Sequence, residues 1–291
     1  MGHAATDSTV TTWTWFKGEW HEGNPNIMGP QTHGVWMAST VFDGARRMNG
    51  KMPDLHPHCA RVIRSANLMG LKPAITTDEI VALVKEGVKK FDPELALYIK
   101  PIVYGGEGFL APIPESAQFV LCISVTEMPA AVQTGFSARK SSFRRPSPES
   151  APTEAKAACL YPNVGRAVTE ANNDGFDTGV MLDPIGNVAE FSYANLFFAK
   201  DNVVYTPAIN GTFLNGLTRQ RVITLLRKDG VEVVEKTCAY SELETADEIF
   251  GTGNYYKVAP CVKLDERPLQ PGPITRRAQD LYMAFTAAST D

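Results

Sequence analysis

The sequence predicts a protein of mixed helix and sheet, in the α+β or α/β class, that folds as two domains. Its 291 residues exceed the ~100–200 residues of an ordinary domain. Apolar runs typical of strands are interspersed with segments of helical periodicity along the chain. The composition shifts between residues 127 and 152, where four prolines stand among Ser and Gly. We therefore expect a smaller N-terminal domain over 1–129, an interdomain loop over 130–135 and a larger C-terminal domain over 136–291.

The N-terminal domain is expected to contain two helices and several strands. Thr76 is a suitable helix cap, because its hydroxyl precedes Asp78 and Glu79, whose charges favour the amino end of a helix. Ile80, Val84, Val88 and Phe91 then recur on one helical face, and an earlier helix is expected over 56–69. The predicted strands are a strand and turn within 12–23, a strand over 39–46, and strands over 97–105 and 118–125.

The C-terminal domain starts a new alternation of helices and strands. Turn residues at 183–187 and at 201–202 separate its apolar runs. The basic pair Arg144 and Arg145 stands beside prolines and is interpreted as part of a surface loop. The predicted helices are 161–173 and 217–228, and the predicted strands are 178–183, 188–199, 203–206 and 231–235.

Composition excludes several classes of protein. The 28 basic against 32 acidic residues give a net charge of −4, which supplies no basic footprint for nucleic acid. The longest apolar run, 119–125, is far shorter than the ~20 residues of a membrane-spanning helix. The first 12 residues are polar and show no secretory signal. Five scattered cysteines without a CxxC pair indicate reduced thiols, so we expect a cytoplasmic protein.

Histidine placement limits the chemistry of the C-terminal half. All five histidines lie within the first 58 residues. The chain lacks HExxH, GxSxG and P-loop motifs, and no metal site is expected. Catalysis centred in the C-terminal half must therefore use Lys, Tyr, Glu, Asp or Cys.

Two residues stand in surroundings that are unusual for their charge. Lys156 has Ala155, Ala157 and Ala158 as neighbours, and burial would lower the pKa of its amine enough to make it a nucleophile for a Schiff base. The alternative is a lysine that reaches solvent from a helix start. Glu190 lies in an apolar strand and needs a positive partner. Either a protonated pyridine nitrogen or a buried arginine would serve.

Two glycine-rich segments are candidates for phosphate binding. Gly216-Leu217-Thr218 opens a predicted helix, and 251–254 forms a turn, so both can present free backbone N–H groups to an anion. Arg61 could supply a cation to the phosphate, although a surface arginine is the simpler interpretation. Each segment alone is a weak signal.

Taken in order, these segments resemble the class IV aminotransferases, the fold type IV pyridoxal 5'-phosphate (PLP) enzymes that include branched-chain aminotransferases. The stretches that carry the resemblance are STVFDGAR (39–46), HCAR (58–61), YIKP (98–101), AKAACLY (155–161), AEFSYANLF (189–197), GLTR (216–219) and ADEIF (246–250). They span nearly the whole chain in the order of the family.

The resemblance implies a transaminase that works by a ping-pong Schiff-base mechanism with PLP. Lys156 would be the catalytic lysine, Tyr161 would bond the cofactor's phenolic oxygen, and Glu190 would keep the pyridine nitrogen protonated. The residues implied to hold the phosphate are Arg61, Leu217, Thr218 and Asn254, the last standing where the family usually has Thr. The family builds its site between two domains and at a dimer interface, which implies a homodimer.

Substrate residues depart from the branched-chain pattern. Phe42, Arg46 and Tyr98 fit that pattern, whereas Met37 replaces a usual Tyr and Lys100 a usual Arg. The expected pocket residues are Val35, Met37, Phe42, Arg46, Tyr98, Lys100, Tyr255 and Tyr256. This set favours an (R)-selective amine transaminase that passes the amino group of an apolar or aromatic amine to an α-keto acid such as pyruvate. The alternatives are a branched-chain L-amino acid:2-oxoglutarate aminotransferase, a fold type IV lyase and a catalytically silent PLP-binding relative. For Met37 and Tyr256, plain core packing is also open.

Overall fold

A computed structural model describes residues 11–290 of the chain. The chain forms two compact units, Met1–Glu127 and Met128–Asp291. The division falls two residues before the domain end predicted at residue 129. Most of the N-terminal stretch in which no secretory signal was predicted lies outside the described residues. Both units combine sheets with helices, as the predicted fold class requires.

The first unit is built on a six-stranded sheet whose neighbouring strands are all antiparallel. Its path runs β2-β1-β6-β5-β3, and β4 also pairs with β5. The strands are β1 (Thr12–Phe16), β2 (Glu19–Glu22), β3 (Thr40–Phe42), β4 (Ala45–Arg47), β5 (Leu97–Tyr104) and β6 (Gln118–Val125). The helices are α1 (His33–Trp36), α2 (Leu55–Leu68) and α3 (Thr77–Gly87).

Helix α3 begins as its sequence predicts. The Thr76 hydroxyl accepts a hydrogen bond from the backbone N–H of Glu79, and the Glu79 carboxylate accepts one from the backbone N–H of Thr76 at 2.7 Å. This capping box satisfies two donors at the helix start. Ile80 and Val84 are fully buried on the face that the apolar spacing marks.

The segment 39–46, expected as one strand, is two short strands with a break at Asp43 and Gly44. Asp43 is fully buried, and its carboxylate accepts a hydrogen bond from the N–H of Gly44 at 2.7 Å. A buried carboxylate needs such donors, and this bond turns the backbone away from the sheet ladder.

The second unit is built on a nine-stranded sheet with the order β12-β11-β10-β13-β14-β7-β8-β9, to which β15 adds beside β14. The strands are β7 (Phe136–Arg144), β8 (Thr178–Leu182), β9 (Val188–Phe191), β10 (Asn195–Lys200), β11 (Val203–Pro207), β12 (Val233–Lys236), β13 (Glu248–Gly253), β14 (Lys257–Leu264) and β15 (Arg267–Pro268). The helices are α4 (Ala131–Thr134), α5 (Tyr161–Asn173), α6 (Leu217–Lys228), α7 (Tyr240–Glu244) and α8 (Pro273–Ala287).

Three expectations for this unit need correction. The segment 130–135 contains the short helix α4 rather than only a loop. The region around the prolines contains β7, a strand inside the sheet with β14 and β8 as its neighbours. The expected strand 188–199 is two strands, β9 and β10, separated by a turn at 192–194.

Helices α5 and α6 have the bounds that their sequences predict. They are positioned over the sheet by buried apolar residues such as Val164, Val222 and Leu226. None of the five cysteines forms a disulfide. Within residues 11–290 no helix is both long and apolar enough to span a membrane.

Candidate active site

Lys156 and Tyr161 lie together at the amino end of α5. The Lys156 ammonium donates a hydrogen bond to the Tyr161 hydroxyl at 2.9 Å. The flanking Ala155 and Ala157 are buried, whereas Lys156 and Tyr161 are each half-buried. A tight 3-10 turn at Ala158–Leu160 lies between the two residues in the chain. The geometry places an amine and a phenol within reach of one small molecule.

Glu190 lies on β9 and is almost fully buried. Its Oε1 lies 3.3 Å from Arg145 Nε, and its Oε2 accepts a hydrogen bond of 3.3 Å from Asn195 Nδ2. Burial raises the pKa of Glu190 to about 7, and the positive charges of Arg145 and Lys156 oppose that rise. Since its ordinary value is 4.5, this carboxyl exchanges a proton near neutral pH.

The interpretation of Arg145 as a surface residue is wrong. It follows β7 and is only 5% exposed, and besides Glu190 it contacts the carbonyl of Thr212, to which its Nε donates at 3.1 Å. The nearby prolines suggested a loop, but the buried carboxylate of Glu190 needs a positive partner, which explains why a cation is buried here. The arginine that the sequence offered as one partner for Glu190 is therefore present.

The amino end of α6 faces the same network. Gly216 caps the helix in an extended conformation, and its N–H donates to Asn195 Oδ1 at 3.2 Å. Leu217 and Thr218 form the first turn, with no acidic residue in it and no side-chain cap among the described residues. The first turn of a helix attracts anions through its free N–H groups and its dipole.

The end of β13 presents one buried hydroxyl. Thr252 is fully buried, and its Oγ1 has no hydrogen-bond partner within the described part of the chain. Thr252 pairs directly with Asn195 across β13 and β10, so both side chains lie on one face of the sheet. Asn254 follows, and its Oδ1 accepts a hydrogen bond from Lys257 Nζ at 2.6 Å.

The two adjacent tyrosines that follow β13 differ in burial. Tyr255 is 44% exposed and Tyr256 only 2%, with the Tyr256 ring stacked on Phe136 at 5.7 Å between centroids. Tyr193 makes edge contacts with both rings. Tyr256 thus lies in the hydrophobic core of the second unit, which agrees with the interpretation of this residue as a core residue.

In the first unit, Arg61 belongs to a buried charge cluster. Its guanidinium donates to both oxygens of Asp43, at 2.6 and 2.8 Å, and His58 Nδ1 lies 2.7 Å from Asp43 Oδ1. Burial would raise the pKa of Asp43, but Arg61 and His58 together hold it well below its usual range. Asp43 therefore fixes the orientation of the Arg61 guanidinium.

Four of the expected substrate residues share one face of the first sheet. Tyr98 and Lys100 alternate with buried residues along β5, and Arg46 and Phe42 lie opposite Tyr98 and Ile102. The Lys100 ammonium lies 5.7 Å from the centre of the Tyr98 ring. Arg46 is fully buried and donates to the Thr126 carbonyl at 2.9 Å, with its guanidinium 5.4 Å from the same ring.

Val35 and Met37 lie in and just after the short helix α1, and both are exposed. They are therefore not core residues of the first unit, which removes the packing alternative for Met37. Their apolar side chains are available to a ligand or to another protein surface.

Comparison with known proteins identifies the family. The family model for amino-transferase class IV matches residues 40–264, well over half of the chain. The chain belongs to the class IV aminotransferases. The predictions of the family, of a PLP-dependent transaminase and of PLP as its cofactor are confirmed.

The similarity to relatives and to solved structures extends over nearly the whole of this chain. The chain is 32% identical over 292 residues to the branched-chain-amino-acid aminotransferase of Pseudomonas aeruginosa, and the match covers 95% of this chain and 94% of that protein. Its fold matches the structure of an aminotransferase from Brucella abortus bound to PLP, with 46% identity, a TM-score of 0.94 and coverage of 96% and 100%. It also matches the branched-chain aminotransferase of Thermoproteus uzoniensis with norvaline, with 28% identity, a TM-score of 0.88 and 96% coverage of each chain.

The residues of the second unit fit PLP. A carboxyl that can pair with a pyridine nitrogen, an amine beside a phenol, and a helix start suited to a phosphate are all present, and Thr252 offers a buried hydroxyl. Sequence reasoning named Lys156, Tyr161, Glu190, Leu217 and Thr218, but it missed three residues of the surrounding network. These are Arg145, Asn195 and Thr252. A polar residue in an otherwise apolar stretch was the available signal for Asn195, which stands within AEFSYANLF.

Proposed function

We propose that this aminotransferase transfers the amino group of an apolar, branched-chain type L-amino acid to 2-oxoglutarate. The observation that carries the proposal is the face of the first sheet that Lys100, Tyr98 and Phe42 share, with the Lys100 ammonium 5.7 Å from the centre of the Tyr98 ring. An ammonium next to aromatic rings suits a substrate that has a carboxylate and an apolar side chain. The curated names of the similar proteins support the same substrate class.

In the proposed mechanism the chain's own residues divide the work. When bound, PLP supplies the electron sink that stabilises the negative charge left by removal of the substrate's α proton. Lys156 Nζ takes that proton and later returns it, and Tyr161, 2.9 Å away, orients the amine. Glu190 would accept a hydrogen bond from the pyridinium nitrogen, and the first turn of α6 with Thr218 would hold the phosphate. Asn254 and Arg61 are the remaining proposed phosphate contacts.

The exposed Val35 and Met37 favour a second candidate, an (R)-selective amine transaminase with pyruvate as acceptor. Amine donors lack the carboxylate, so apolar side chains would replace the role of Lys100. Both proposals keep Phe42, Arg46, Tyr98, Lys100 and Tyr255 as substrate residues.

A single-turnover experiment distinguishes the two candidates. The purified holoenzyme is mixed separately with L-leucine, (R)-1-phenylethylamine and (S)-1-phenylethylamine, and the visible absorption of the bound cofactor is followed without an acceptor. We expect loss of the absorption band with L-leucine and its return when 2-oxoglutarate is added. Loss with the (R)-amine alone would overturn the amino acid assignment in favour of the amine transaminase.

Lys156→Ala is the control for catalysis itself. A catalytically silent PLP-binding protein would lose no turnover on this substitution, whereas the proposed enzyme should lose at least ~10²–10⁴-fold in kcat, the range that a positioned acid–base group contributes. Lys228→Ala, at the exposed end of α6, should leave turnover unchanged.

We further propose that the enzyme is a cytoplasmic homodimer. Trp36, Phe109 and Leu110 form an exposed apolar patch, with Phe109 72% and Leu110 79% exposed and the rings of Trp36 and Phe109 5.5 Å apart. A patch of this kind commonly marks a protein interface. Analytical ultracentrifugation should give twice the mass of the chain, and Phe109→Ser with Leu110→Ser should shift the equilibrium toward the monomer. Fractionation of cells that produce the protein should place it with the cytosol.

A further inference from the structure

Asn195 is an almost fully buried side chain at the start of β10 that contacts two separate parts of the candidate site. Its Nδ2 lies 3.3 Å from Glu190 Oε2 and 3.0 Å from the carbonyl of Leu214, and it donates to both. Its Oδ1 accepts the N–H of Gly216 at 3.2 Å. One amide group therefore joins a carboxylate to both ends of the segment that leads into α6.

The fit around this amide is close. A Cβ atom added at Gly216 would lie 2.2 Å from Asn195 Oδ1, well inside van der Waals contact. Any larger residue at 216 would have to displace the amide or the helix start. The first turn of α6 is therefore fixed to Asn195 by packing as well as by hydrogen bonds.

Arg145 reinforces the same arrangement from the other oxygen of Glu190. It contacts Glu190 Oε1 and donates to the carbonyl of Thr212, in the same segment before α6. Both oxygens of the carboxylate are thus tied, through side chains, to the backbone that positions the helix start. A shift of the Glu190 carboxylate must therefore strain the hydrogen bonds that hold the start of α6, and a shift of the helix start must strain those that hold the carboxylate.

We propose that Asn195 is a positioning residue that couples the Glu190 carboxylate to the anion-binding start of α6. The inference rests on the proposed function, in which Glu190 contacts the pyridine nitrogen and α6 contacts the phosphate. An anion bound at the start of α6 orders the segment 214–216. Through the hydrogen bonds of Asn195, this segment then holds the Glu190 carboxylate in the position that suits the pyridine ring. Binding at one end then strengthens binding at the other, and the coupling is reciprocal.

Two fragments of the cofactor measure this coupling without any chemistry. Pyridoxamine carries the ring, and inorganic phosphate carries the anion. The dissociation constant of pyridoxamine is measured by calorimetry on the cofactor-free enzyme, with and without saturating phosphate. We expect phosphate to tighten pyridoxamine binding about fivefold or more in the wild type, and less than twofold in Asn195→Leu.

The matched control is Asn163→Leu, which removes another asparagine bond to a backbone carbonyl, that of Arg144. It should keep the wild-type ratio. A role for Asn195 in folding alone would lower the melting temperature and weaken both fragments equally, leaving the ratio unchanged. An unchanged ratio in Asn195→Leu, or fragments that bind independently to the wild type, would overturn the proposal.

A second variant covers the case in which Asn195→Leu fails to melt cooperatively. Asn195→Ala removes the amide without placing a branched apolar side chain at this buried position, so it should also lose the coupling. Binding of intact PLP to the wild type distinguishes failure of this proposal from failure of the proposed function. A wild type that does not bind PLP at all removes the function, whereas one that binds PLP but shows independent fragments removes only the role of Asn195.

Discussion

The Lys156 ammonium and the Tyr161 hydroxyl lie 2.9 Å apart across a single tight turn, five residues apart in the chain. The phenol accepts the hydrogen bond, so it helps to hold the amine in one direction. Both groups depend on the start of α5, where Tyr161 is the first helical residue and Pro162 follows it. Proline is well tolerated in the first helical turn, which makes this start rigid.

Tyr161→Phe should lower kcat/KM about 10–100-fold, because it removes one hydrogen bond to a charged group and leaves the ring in place. PLP should still bind. Steady-state kinetics with the best amino donor measure the change. The control is Tyr205→Phe in β11, which keeps the ring that stacks on Phe198 of β10 and should have no effect. A Tyr161→Phe enzyme with wild-type kinetics would show that the observed bond does not orient Lys156 during turnover.

The raised pKa of Glu190 predicts how the free energy of unfolding changes with pH. Its pKa in the folded protein is raised from 4.5 to about 7, so the folded state holds a proton that the unfolded state releases. The stabilisation is therefore complete below about pH 4.5 and is lost as the pH rises through about 7. The free energy of unfolding of cofactor-free wild type, relative to Glu190→Gln, should fall between pH 5 and 8 by up to about 1.4 kcal/mol per pH unit. A pH-independent difference would contradict the raised pKa.

The buried pair of Arg145 and Glu190 should respond asymmetrically to substitution. Arg145→Met leaves Glu190 without its cation, so it should destabilise the cofactor-free protein in denaturant unfolding by about 3–5 kcal/mol at alkaline pH, and by less at pH 6, where the carboxyl holds a proton. The double variant with Glu190→Gln removes the uncompensated charge and should restore most of that loss. If the double variant is as unstable as the sum of the single variants, the two residues do not act as a pair.

The pKa of Asp43 in the first unit is shifted downwards, the opposite direction from that of Glu190. Arg61 and His58 hold its pKa well below the usual range, so its stabilisation is present above about pH 4 and is lost as the pH falls further. Asp43→Asn should cost about 3–5 kcal/mol at pH 7. The difference from wild type should shrink on acidification below pH ~4, as measured by urea unfolding at each pH. Asp78→Asn, at an exposed position in the first turn of α3, is the control and should cost about 0.3–1 kcal/mol.

Local signals explain which elements could be predicted from the sequence. Helices α5 and α6 end where their apolar periodicity ends, at residues followed by Gly175 and Gly230 in left-handed conformations. Thr76 begins α3 because the capping box is a property of four adjacent residues. Signals of this kind do not depend on the rest of the fold.

Long-range contacts decided the elements that sequence reasoning missed. Strand β7 lies in a proline-rich segment, yet it pairs with β14, more than one hundred residues away in the chain. Buried Arg145 finds its partners in Glu190 and in the carbonyl of Thr212, and no local pattern shows that pairing. The residue types of the site were thus readable, but the network that orients them required the structure.

Lys100 decides between the two substrate classes proposed here. It stands on β5 beside the Tyr98 ring and is the partly exposed cation on this face, where its ammonium is available to a carboxylate. Lys100→Met keeps a side chain of similar length without charge, so it should raise KM for L-leucine and for 2-oxoglutarate about tenfold, the cost of one charge-assisted hydrogen bond. Lys100→Arg keeps the charge and should stay within about threefold of wild type. Turnover of (R)-1-phenylethylamine, which has no carboxylate, should be unaffected in that half-reaction. Equal losses for the amine and the amino acid would mean that Lys100 supports the sheet, and the carboxylate would then need another partner.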